Sequence, residues 1–89
     1  MHAAEAELLA ERDPETRYYQ AAVLAYCGQP DLAVRLLHSA IGSNYCAYEA
    51  LNADPLLAKL RPLPIFPPVR SEANECRQRF LAERSQLHP

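Results

Sequence analysis

Apolar positions along this chain recur at helical intervals and are cut into runs by proline, glycine and asparagine. The first cut is Asp13-Pro14, a capping carboxylate followed by proline at the first helical position, which ends any helix upstream and starts another. Residues 3–12, rich in Ala, Leu and Glu, are expected to form a short helix of their own. From Pro14 to Cys27, Tyr18, Ala21, Ala22, Ala25 and Tyr26 give a helix with a broad apolar surface, closed by Gly28 as its left-handed residue. Pro30-Asp31 opens the next helix, with Leu32, Ala33, Leu36, Leu37, Ala40 and Ile41 on one face, and Gly42-Ser43-Asn44 stops it. Ala21, Ala33 and Ala40 are the small residues that let the two helices of an antiparallel hairpin, and a third element, approach closely.

The second half is more broken. Tyr45 to Leu51 has room for two helical turns before Asn52-Ala53-Asp54 interrupts, and Asp54-Pro55 repeats the cap-then-proline signal ahead of "LLAKLR". Four of the eight prolines fall between 62 and 68, so "RPLPIFPPV" is expected to be an extended connector. A helix begun at Pro64 would put Pro67 and Pro68 where backbone N–H groups must bond back one turn, and each interior proline costs about 3 kcal/mol. The last helix is therefore expected to start at Pro67 or Pro68, leaving Ile65 and Phe66 as apolar anchors. Along it Val69, Ala73, Cys76, Phe80, Glu83 and Leu87 share one face, apolar except at Glu83.

Composition agrees with this all-α reading. Two glycines, few β-branched residues and abundant Ala, Leu, Glu and Arg favour helix, and 49% hydrophobic with 22% charged residues is ordinary for a globular domain. Eighty-nine residues make one domain at most, or a piece of a larger protein. A net charge of −2 offers no electrostatic footprint for nucleic acid. The longest unbroken apolar run, Ala21 to Cys27, is far short of the roughly 20 residues of a membrane span, and "MHAAEAELLA" lacks the basic start of a secretory signal. Cytoplasmic localisation is the expectation. The odd number of cysteines, Cys27, Cys46 and Cys76, then reads as free thiols in a reducing compartment.

Candidate chemistry is sparse. Cys27, Cys46 and His38 fit no compact ligand spacing and read as packed side chains, so no metal or cofactor is expected. No nucleophile-elbow, phosphate-loop or zinc-protease motif is present, and an enzyme is not expected. "PIFP", Pro64 to Pro67, matches the PxxP pattern but carries Ile65 and Phe66, which suits a connector sealing the core better than a ligand. The mixed charges Arg70, Glu72, Glu75, Arg77, Arg79, Glu83 and Arg84 read as a solvated face, with Glu75 and Arg79 correctly spaced for an i,i+4 pair. All five tyrosines, Tyr18, Tyr19, Tyr26, Tyr45 and Tyr48, lie in one stretch, where each ring can pack while its hydroxyl stays wet.

Residues 14–47 resemble a tetratricopeptide repeat, a unit of two helices whose small positions coincide with Ala21, Ala33 and Ala40 and whose turn glycine coincides with Gly28. Two positions depart from it: Arg17 stands where a large aromatic is usual, and Tyr45 where proline is. The later stretch "NYCAYEALNADPLLAKLR" with its long helix looks like the C-terminal end of repeat arrays in bacterial multidomain signalling proteins. The resemblance implies a fragment of a right-handed superhelix closed by a long C-terminal helix. It further implies a concave face lined by Glu15, Tyr18, Ala22, Ala25 and Tyr26; packing of these tyrosines against the preceding helix is the other reading. The function it implies is a non-catalytic module binding a peptide, a partner domain or a second copy of itself. The alternative is a structural or regulatory end-cap of a larger bacterial kinase or transcriptional regulator, without a ligand of its own.

Overall fold

A computed structural model describes the backbone of residues 13–87 and the side chains through Arg84; the expected helix at 3–12 and the Leu87 side chain lie outside these described residues. Among them the chain forms four α-helices and one short 3-10 turn, with no strand: α1 (Pro14–Tyr26), α2 (Pro30–Gly42), α3 (Tyr48–Ala53), the 3-10 turn Pro55–Leu57, and α4 (Phe66–Leu87).

The start of α1 follows from its cap. The Asp13 carboxylate accepts the Thr16 amide at 3.2 Å and the Thr16 hydroxyl at 2.6 Å, and Pro14 fills the first helical position. The bond from the Thr16 hydroxyl, above all, holds the Asp13 carboxyl below its usual range. At the other end Gly28 takes φ +85°, so that the Gly28 amide reaches the Ala25 carbonyl and the Gln29 amide the Leu24 carbonyl. The end of α2 repeats this geometry with a different residue. Gly42 stays helical, and Asn44, at φ 73°, turns the chain so that its amide meets Ile41 and that of Tyr45 meets Ala40.

Helices α1 and α2 pack together as a hairpin, and Ala21, Ala33 and Ala40 are completely buried. Across it the Arg17 guanidinium donates to the Ser39 hydroxyl at 2.6 Å, a polar tie between the two helices. Helix α4 lies on α2, and the 3-10 turn lies on α1. The core formed between them holds Leu36, Leu37 and Ile41 of α2, Leu51, Leu57 and Leu60 of the middle segment, and Phe66, Val69, Ala73 and Cys76 of α4.

The start of α4 lies within one residue of the expected place. The helix begins at Phe66, so Pro67 and Pro68 occupy its first turn, where no backbone N–H is required, and the Phe66 ring is fully buried. Two expectations need correction here. Residues 62–65 are not extended: Leu60 and Leu63 carbonyls accept from Leu63 and Phe66 amides, winding the connector into successive turns. The apolar stripe of α4 also stops doing core work at Cys76; Phe80 is 44% exposed and Glu83 is exposed.

The cysteine reading is corrected more sharply. Cys46 and Cys76, 30 residues apart in sequence, form a disulfide, and only Cys27 among the three is free. Cys27 is not packed in the core either; it follows α1 at its exposed end. The disulfide joins the loop between α2 and α3 to the last buried position among the described side chains of α4, a distant pairing that cysteine spacing alone does not reveal.

Candidate functional site

Helix α1 presents two opposite faces. Tyr18, Ala21, Ala22 and Ala25 point inward and are buried. Tyr19, Val23 and Tyr26, spaced i, i+4, i+7, form an outer stripe, 57%, 53% and 56% exposed. Tyr19, Gln20, Val23 and Leu24 line a shallow apolar depression of ≈ 310 Å³ on this side. Among the described residues these are the large apolar side chains left most open to solvent, with Phe80, Leu81 and Leu56 less so.

This geometry divides the five residues assigned to a concave face. Glu15 and Tyr26 are exposed, whereas Tyr18, Ala22 and Ala25 are core. The reason is the segment after α3: the 3-10 turn packs on α1, and Asp54, which caps that turn by accepting the Leu56 amide at 2.9 Å, also accepts the Tyr18 hydroxyl at 2.6 Å. Burial and this carboxylate together push the Tyr18 phenol far above its ordinary 10. Tyr19 and Val23, absent from the expected set, were recoverable from the same periodicity, since they sit on the face opposite Ala21 and Ala25. Tyr26 has a second contact that explains its place. Lys59 donates to the Tyr26 carbonyl at 3.0 Å and lies 4.9 Å over its ring, so one cation answers both the unpaired C-terminal carbonyl of α1 and the aromatic face.

A second region lies around the disulfide. Asn44 to Ala50 and Arg77 line an open cleft of ≈ 440 Å³, with Cys46 half-buried in its wall. Ala47, next to Cys46, stands at φ 55°, a left-handed conformation that disfavours any side chain bearing a Cβ. Arg77 of α4 lies 5.0 Å over the Tyr48 ring, spanning the cleft beside the disulfide. Tyr45 packs against Tyr18, ring centroids 5.7 Å apart, and burial raises its phenol above the usual value.

His38 is not packed away as expected but pairs through Nδ1 with Glu72 at 2.5 Å, a bond that fastens α2 to α4. Arg61 closes the C-terminus of α3 by donating to the Leu51 carbonyl at 2.9 Å and to the Asp54 carbonyl. Among the described residues no three His, Cys, Asp or Glu side chains are grouped to hold a metal ion, and no helix is long and apolar enough to cross a membrane. Compared with family models, curated proteins and solved structures, the chain matches none of them. What the fold defines is an all-helical domain built on a hairpin.

Proposed function

We propose that this domain is a non-catalytic protein–protein interaction module of tetratricopeptide-like character, and that it engages its partner through the outer stripe of α1. One observation carries the reading: Tyr19, Val23 and Tyr26 are each more than half exposed on one helix face. Two of the three are tyrosines, which supply a large contact area at low entropic cost. Stacked helices make such a surface rigid without any reactive group. The buried alanines and the left-handed Gly28 support a repeat-like hairpin as the scaffold.

The end-cap alternative draws on a separate observation. Arg70, Ser71, Asn74, Glu75, Gln78 and Arg79 give α4 an exposed, polar outer side opposite its buried stripe, as a helix closing a stack requires.

Site-specific photo-crosslinking in the host cell tests the main reading. A photoreactive residue at position 19 or 23 should yield protein adducts, whereas the same residue at position 74, on the polar side of α4, should not. Adducts from 74 alone, or from none of the three, would overturn the assignment.

A further inference from the structure

The disulfide occupies a place that a buried structural cross-link would not. Cys76 is fully buried, the last of the described α4 side chains to be so; its sulfur lies 4.0 Å from the Ile41 carbonyl oxygen. Cys46 is half-buried and forms part of the wall of the open cleft. Its neighbour Ala47 has a left-handed backbone. Beyond Cys76, residues 77–84 are exposed, and Arg77 over Tyr48 is the contact that continues the attachment of α4 to the loop.

We propose that Cys46–Cys76 is a thiol–disulfide exchange site, opened by a dithiol reductant that attacks Cys46 from the cleft, and that its opening releases the 44–50 segment and the distal part of α4 while the α1–α2 hairpin stays folded. Access selects the sulfur. The reductant's thiolate bonds to the Cys46 sulfur, and the electron pair of the Cys46–Cys76 bond leaves on Cys76, which takes up a proton. The reductant's second thiolate then displaces Cys46, closing the reductant's own disulfide, and Cys46 is protonated in turn. Two electrons pass to the protein, and one disulfide becomes two thiols. The Ile41 carbonyl then stands ready as a weak acceptor for the new Cys76 thiol. Release follows from where the bond sits: once it opens, the buried stripe still anchors Val69 and Ala73, and His38–Glu72 still joins α4 to α2, but among the described side chains none beyond Cys76 is buried.

The test uses the full chain with Cys27→Ser, which removes the exposed third thiol. After oxidation with oxidised glutathione, brief exposure to reduced glutathione and an alkylating quench, peptide mapping should find the glutathione adduct on Cys46. Treatment with dithiothreitol without denaturant should reduce the bond. Hydrogen exchange should then speed up in 44–50 and 74–84 by a larger factor than in 14–42. A Cys46→Ala/Cys76→Ala variant should show the same exchange pattern with no reductant present. The proposal fails if the cysteines do not pair on oxidation, if the adduct sits on Cys76 or does not form, if reduction requires urea, or if exchange in the hairpin rises by as large a factor as in 44–50 and 74–84. Crosslinking at positions 19 and 23 reads a different face, so its outcome leaves this one separately decided.

Discussion

Tyr18 shows how much one side chain determines here. Its ring fills the space between α1 and the segment following α3, and its hydroxyl meets the same carboxylate that caps the 3-10 turn. Tyr18→Phe keeps the ring and removes one hydrogen bond to a charged acceptor, so urea unfolding should show a loss of about 1–2 kcal/mol. The phenol also links stability to pH. Its folded value is raised above its ordinary 10, so the neutral phenol is favoured by folding. That contribution is complete below pH 10 and is lost as pH climbs above it, because the unfolded chain ionises first. Unfolding measured from pH 8 upward should therefore show a decline beginning near pH 10 that is shallower in Tyr18→Phe; identical slopes would remove the assignment.

At the scale of elements, each helix of the hairpin ends on a left-handed residue, Gly28 or Asn44, and this fixes where the chain reverses. A Cβ added at Gly28 would meet nothing within 4 Å, so the cost of Gly28→Ala is backbone conformation alone, about 1 kcal/mol. Ala33→Leu is a different case. Ala33 is wholly buried within the hairpin, and the added methylenes must displace neighbours at about 1–3 kcal/mol. Calorimetry of the two variants should rank Ala33→Leu below Gly28→Ala in melting temperature. The opposite order would mean that the crossing is loosely packed.

The molecule as a whole is unevenly held together. From Arg77 to Arg84 every residue of α4 is exposed, so this stretch contributes little to the core. Truncation after Gln78 should change the unfolding free energy by less than about 1 kcal/mol, because surface positions away from caps and networks carry little stability. A larger loss would place the distal helix against the body. The disulfide works the other way. Closing a loop of 30 residues restricts the unfolded chain by about 3–4 kcal/mol in the chain-entropy account. Both follow from where Cys76 sits, at the last buried turn.

What the amino-acid sequence determined by itself was the punctuation. Asp13-Pro14, Gly28, Pro30 and the Pro67-Pro68 pair act within one helical turn, through a missing N–H, a fixed φ or a capping oxygen, so their effect needs no knowledge of the rest of the chain. They placed α1, α2 and the start of α4, and the alanines of the hairpin were legible from their spacing. Tertiary structure decided what local signals do not encode. Whether Tyr18 lines an open groove or is buried as core depended on a 3-10 turn some 36 residues further on, capped by the Asp54 that meets the Tyr18 hydroxyl. The connector at 62–65 curled because its carbonyls found amide partners in a turn rather than solvent along an extended run. Cys46 met Cys76 only because α4 returns across α2 and brings its last buried position to the loop that follows that helix, a juxtaposition set by packing of distant segments and invisible to any periodicity within one of them.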